Sequence, residues 1–298
     1  MLSVSGGSAS TKYFFSGGYF NQEGIITGSG YDRFNIRANL DMNPSEKLTI
    51  GVNINLSYQI FEGNYGNNTS GGWGGGIVYA LQTPNIVPIY DDANPDGYNR
   101  NSPTTNNPFH NPVEEAKEQI RIENNLRLMA RTFADYELLP GLNYRINLAT
   151  DLGTNHLKGY LPLSSLAGQY QGRADRNASL NRYWLIENTL NYAKIIGDHS
   201  INVLAGYTAE ESQWEALGTQ GRNFPDDALI YNNFFSLSPE NVSGFSNEGR
   251  WALESYLGRI MYSFKDKYLL TLSGRFDGSS KFPEINMAFS HQAHLPGR

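Results

Sequence analysis

The 298 residues contain no cysteine, which removes a disulfide framework and any Cys-ligated zinc site from consideration. No run of 18 apolar residues occurs. Ile77–Leu81 is the longest obvious apolar stretch, far short of the roughly 20 residues that a membrane-crossing helix needs. Positive charge is scarce. The chain has 23 Lys and Arg against 29 Asp and Glu, a net of −6, which argues against a nucleic-acid partner. Met1 is not followed by a basic segment and an apolar stretch, so no export signal is read and the start is taken as truncated. Nor is there a G-x-S-x-G elbow, an H-E-x-x-H helix or a phosphate loop. The sequence reads as a non-enzyme with no metal and no cofactor.

What is present is aromatic and alternating. The chain holds 19 Tyr, 15 Phe and 31 Gly, a composition that leans toward β structure with aromatic girdles. Phe34, Ile36, Ala38, Leu40 and Met42 alternate with Asn35, Arg37, Asn39 and Asp41. Leu48, Ile50, Val52, Ile54, Leu56 and Tyr58 then alternate with Thr49, Gly51, Asn53, Asn55 and Ser57. The period is two over about a dozen residues, the length of a membrane-spanning strand rather than of a globular one. The pattern recurs from Leu126 to Tyr136, Leu142 to Leu148, Trp184 to Tyr192, Ile201 to Tyr207, Tyr256 to Phe264 and Tyr268 to Phe276, with Asn188 a polar exception. Leu2–Gly6 and Thr11–Phe20 are weaker versions, for roughly ten strands in all.

The connections alternate too. Short ones are read at Gly6–Ser10, Asn43–Glu46, Leu138–Gly141, Ala193–Asp198 and Lys265–Lys267. Long ones are read at Asn21–Gly30, Phe61–Ile122, Leu152–Asn177 and Gln213–Gly249, with another after Asp277. Short turns on one side and tall loops on the other are the signature of a transmembrane β-barrel. A mean hydropathy of −0.47 does not conflict with this, because only alternate strand residues meet lipid. The rival reading is a soluble or surface β-sandwich that binds glycans, whose strands also alternate.

The stretch YLGRIMYSFKDKYLLTLSGRFDGSSKF (Tyr256–Phe282) resembles the barrel of SusC/RagA-type TonB-linked outer-membrane transporters of Bacteroidota. LSVSGG, YFFSGGYFNQEGI, RFNIRANLDMNPSEKLTIGVNINLSY and HSINVLAGY fit the same family in the same order. Its most distinctive piece is RFDGSSKF, carrying Arg275, Asp277, Gly278, Ser279, Ser280 and Phe282. The resemblance implies an all-β fold, about ten antiparallel strands of a 22-strand barrel that encloses a plug. It implies import of glycans or peptides, energy delivered by TonB through a plug that this chain does not contain, and a SusD-like surface lipoprotein over the mouth. It also implies residence in the outer membrane. Residues 1–282 are read as the partial barrel and 283–298 as an aberrant tail, which a frameshift near Glu284 or an early stop would explain.

Candidate sites follow from the loops and the polar face. Trp73, Tyr79, Tyr90 and Tyr98 offer flat apolar faces to sugar rings or to the lipoprotein lid. Ile77–Leu81 is expected to be a short helix over the pore mouth, and Pro112–Arg121 a charged excursion returning to the membrane. Asp92-x-Asn94-x-Asp96-Gly97 opens like a calcium loop, but Pro103 stands where the twelfth-position Glu belongs, so a surface turn is preferred. His291 and His294 suit a metal only on a helix. The neighbouring carboxylates Asp91/Asp92, Glu114/Glu115 and Asp226/Asp227 have no geometry for glycoside hydrolysis implied by sequence. Lumen-facing Arg37, Arg127, Arg131, Arg145, Arg259 and Arg275 are expected to pair with wall acids such as Asp41, Asp135, Asp151 and Asp277 rather than with a plug or an anionic cargo.

Overall fold

The computed structural model describes residues 1–63, 76–94, 96–101, 110–166, 169, 171–282 and 288–294. Among these residues, eleven strands form one antiparallel sheet in chain order. They are β1 (Leu2–Gly7), β2 (Thr11–Glu23), β3 (Gly30–Ser45), β4 (Leu48–Glu62), β5 (Ile120–Leu139), β6 (Leu142–Leu161), β7 (Arg173–Ile196), β8 (His199–Arg222), β9 (Val242–Phe264), β10 (Tyr268–Ser279) and β11 (Ala288–His294). Two helices, α1 (Gly76–Gln82) and α2 (Pro112–Glu118), lie between β4 and β5. The fold is an antiparallel transmembrane β-barrel segment, with short turns at one end of the strands and long connections at the other. Among the described residues all strands belong to one sheet, which leaves no second layer for a sandwich.

Cross-strand register sorts the residues into two faces. One row reads Ser16, Arg37, Asn55, Met129, Asp151, Tyr183, Ser212, Trp251. The adjacent row on the other face reads Phe15, Ala38, Ile54, Ala130, Thr150, Trp184. The first faces a wet lumen and the second faces lipid, because only an apolar wall tolerates hydrocarbon. Asn188, the exception on the lipid side, accepts a hydrogen bond from the Tyr144 hydroxyl at 2.6 Å, so its amide oxygen is satisfied within the wall.

The short turns demand particular backbones. Gly141 has φ +82°, and a Cβ there would stand 2.3 Å from the carbonyl oxygen of Ala193. Lys265 and Asp266 both sit at positive φ (54° and 51°), as a two-residue hairpin turn requires.

The structure departs from the sequence reading in extent. The expected loops Leu152–Asn177 and Gln213–Gly249 shrink, since β6 and β7 run to Leu161 and from Arg173, and β8 and β9 run to Arg222 and from Val242. Residues 288–294, where no alternation was read, pair with β10 as an eleventh strand. Within the charged excursion read at Pro112–Arg121, Pro112–Glu118 forms a helix.

Candidate functional site

The lumenal wall divides its arginines. Arg127 grips Asp151 with two bonds, at 2.9 and 2.5 Å. Arg145 lies 3.6 Å from Asp135 and stacks its guanidinium 4.2 Å above the Phe133 ring. Arg275 donates to Asp277 at 2.6 Å and to the buried Ser255 hydroxyl at 3.0 Å, while Ser255 donates to Asp277 at 2.5 Å. These three pair with wall acids, as expected. Arg37, Arg131 and Arg259 do not. Among the described residues none of them meets a carboxylate, Arg37 reaching Asn39 at 3.5 Å and Arg131 reaching Asn147 at 3.3 Å.

The RFDGSSKF stretch closes the top of β10. Arg275 and Asp277 point into the lumen, and Gly278 pairs with Glu254 in the ladder. Ser279 accepts through its carbonyl from the Phe282 amide at 3.1 Å and through its hydroxyl from the Lys281 amide at 3.3 Å. Ser280 exchanges bonds with Ala252: its amide donates at 3.0 Å and its hydroxyl accepts at 2.8 Å. Phe282 stays exposed. Arg275, Asp277, Ser279 and Ser280 each have a structural partner here.

At the mouth, residues 84–94, 96–101 and 110–119 build a small folded knuckle. Asn111 caps α2, its side-chain oxygen accepting from the Val113 and Glu114 amides at 3.0 and 3.2 Å. Its amide donates to the Ile89 and Asn99 carbonyls at 2.7 and 2.9 Å, pinning the helix to the preceding loop. Arg100 bridges Glu114 (2.6 Å) and Asp96. Burial raises Glu114 above the usual carboxylate range in spite of Arg100. Burial also opposes ionisation of Asp96, yet bonds from Arg100 and the Tyr98 amide outweigh it and hold Asp96 below that range. The knuckle packs against the β2–β3 loop, where a Cβ on Gly28 would stand 2.2 Å from the Ala116 carbonyl oxygen.

Of the aromatic candidates, Trp73 lies outside the described residues. Tyr98 is buried, with its hydroxyl donating to Glu118 at 3.0 Å, and burial first and that acid second push its pKa up to about 12. Tyr79 is half-covered, one ring face stacked on His110 at 4.1 Å. Tyr90, bridged to Tyr98 through the backbone, keeps its ring in solvent. Asp91 accepts from the Ala93 amide at 3.0 Å, and the pairs Glu114/Glu115 and Asp226/Asp227 are engaged separately. Glu114 serves Arg100, Glu115 meets His110 at 2.7 Å, Asp226 caps the Ala228 amide, and Asp227 accepts from Tyr160 (2.6 Å) and the Leu163 amide (2.9 Å). Asp96 is likewise committed to Arg100 and not to a calcium loop. No cluster of three metal-ligating side chains occurs among the described residues, and the backbone at 291–294 is a strand, not a helix.

One arrangement was not read from sequence at all. On the outer face, above the lipid band, Ile120, Tyr160, Ala174, Gly221 and Val242 form one row across β5–β9. The 223–241 loop folds over it, burying Phe224 and Leu237 with Phe234, Ile230 and Tyr231 alongside. Only the Phe- and Leu-rich composition of that loop pointed toward a core.

Comparisons with known proteins find similarity to TonB-dependent receptors. A TonB-dependent receptor of Formosa agariphila is 31% identical over 295 residues, covering 96% of this chain and 28% of that receptor. The TonB-dependent receptor SusC of Bacteroides thetaiotaomicron is 25% identical over 310 residues, covering 96% and 29%. Among solved structures, the RagAB peptide transporter superposes with a TM-score of 0.78 at 22% identity, over 96% of this chain and 32% of that one. The ferric preacinetobactin receptor BauA of Acinetobacter baumannii gives 0.53 at 12% identity, over 98% and 40%. No protein-family model matches the sequence. The chain spans less than a third of the length of the curated relatives named here.

Proposed function

We infer that this chain, a wall segment of a SusC/RagA-type TonB-dependent receptor, takes part in nutrient import across the outer membrane. The strands enclose part of the passage. The long connections form the mouth, where a SusD-like surface lipoprotein docks. TonB supplies energy through a plug elsewhere in the whole protein, so these strands select and enclose rather than drive. The cargo class we assign is a glycan or a peptide, with no nucleic acid involved.

The observation that carries this reading is the two-faced sheet with tall connections on one side only. A wall apolar outside and polar inside has no use in water, and a rim pinned by the contacts of Asn111 and Arg100 is more than a linker. The test replaces residues 84–119 with a short Gly-Ser linker in the full-length receptor. Uptake of oligosaccharide or peptide falls at least tenfold and the surface lipoprotein no longer co-purifies, while the barrel remains heat-modifiable. Uptake by the unaltered receptor that persists without TonB would reject the reading.

A further inference from the structure

The two hollow-lining arginines without acids are neighbours, and that placement has a use. Arg37 on β3 and Arg131 on β5 line one depression of the lumenal wall, with Asn39, Asn53, Asn55 and Tyr183 around it. Their positions lie two strands and one pleat step apart, a Cα separation of about 12 Å on a flat sheet, so two long guanidinium arms can converge on a group between them. Asn53 and Asn55 stand on the intervening strand, and neither side chain has a hydrogen-bond partner among the described residues. Asp151, the acid that lines the same depression, is held by both bonds from Arg127 and does not neutralise its neighbours.

Three other lumenal arginines, Arg127, Arg145 and Arg275, each meet an aspartate. Here donors accumulate instead: two guanidinium groups and two free amides, while the one lining carboxylate, Asp151, is already paired with Arg127. Arginine pairs are suited to oxyanions because the planar fork offers parallel N–H donors to two oxygens. We propose that this hollow binds an anionic group, a carboxylate or a sulfate, carried on a chain inside the barrel. The inference rests on the lumenal assignment of this face but not on transport, since a receptor that moves nothing still shows the binding.

The test uses the full-length receptor and compares sulfated with unsulfated maltotetraose by calorimetry. Wild type and R259Q, which removes a lone arginine elsewhere on the wall, bind the sulfated sugar at least tenfold more tightly than the neutral one. R37Q/R131Q brings the two within a factor of two, with an unchanged circular dichroism spectrum. Should wild type show no preference, the anion comes from the receptor's own lumen-filling segment. Protease then cuts that segment at least fivefold faster in R37Q/R131Q than in R259Q. Equal sugar preference and equal cleavage across all three proteins overturn the site.

Discussion

Arg100 holds two carboxylates at once, and the pair respond to pH in opposite senses. Its side chain is 12% exposed and that of Glu114 only 4%, so removing the arginine strands a buried charge. A carboxyl whose folded pKa lies above its unfolded one, as at Glu114, stabilises the fold most when protonated, and that contribution is lost as pH rises through the folded value. For Asp96, held low, the contribution is present above the ordinary carboxylate range and is lost only as pH falls through the depressed value. In R100Q, Glu114 loses its cation and its pKa moves further up. At pH 8 the knuckle of that variant is weakened by about 3 kcal/mol. Relative to wild type at the same pH, hydrogen exchange of residues 84–94, 96–101 and 110–119 accelerates at pH 8, accelerates less at pH 5, and returns toward wild type at both pH values in R100Q/E114Q. An R100Q-to-wild-type exchange ratio that ignores pH contradicts the assignment. Sequence showed these residues but not this contact. Asp96 was read only as part of a surface turn, because its partner's second acid stands 14 residues away on a helix whose docking no local pattern reveals. The lumenal pairs were legible where register follows from alternation, as for Arg127 and Asp151, and illegible where the outcome was an arginine left over.

Strand length exposes the limit of periodicity as a ruler. The lipid-facing residues of β8 are apolar from Ile201 to Ala209 and then become Glu211, Gln213 and Glu215, yet the strand continues to Arg222. Alternation reports what touches hydrocarbon, whereas the ladder of backbone bonds continues into water above it, so β6–β9 outrun the pattern that located them. The α2 start, by contrast, carried its full signal in Asn111, Pro112, Glu114 and Glu115: a cap, a proline in the first turn and early acids. The tops of these long strands are where the 223–241 loop folds onto the outer wall, and Gly221 makes the room. A Cβ there would stand 2.5 Å from Leu237 and 2.9 Å from Phe234. Valine is favoured in strands, so any loss in G221V comes from the loop and not from the ladder. We expect a loss of about 1–3 kcal/mol of loop docking. Amide exchange rises at Phe224 and Leu237, whose N–H groups donate to Gln171 and Phe234. Exchange in the lipid-level halves of β7 and β8 is unchanged. A loop that stays protected in G221V shows that the packing is not what seats it.

Across the whole sheet the register climbs steadily, and this fixes how the wall stands in the bilayer. Thr11, the first residue of β2, starts a row through Met42, Ile50, Ala134, Ile146, Asn188, Tyr207 and Tyr256 to Phe276. Phe276 lies eight residues beyond Tyr268, the first residue of β10, and the row has crossed eight strand boundaries. The stagger is therefore one residue per strand. With a rise of about 3.3 Å per residue and about 4.8 Å between strands, the strands lean about 35° from the barrel axis. That is the slant closed barrels adopt, and it keeps the short turns level although the rows of side chains are not. A 22-strand barrel with this slant is about 40 Å across its backbone, and eleven strands make half its wall. None of this was visible in the alternation, which shows where each strand crosses lipid but not how neighbours slide against each other. Polarised infrared dichroism of the amide I band, on oriented bilayers holding the full-length receptor, measures the lean directly. We expect about 35°, and a value near zero or above about 50° is incompatible with the stagger, hence with the assignment of the Arg37 and Ile54 faces to lumen and lipid.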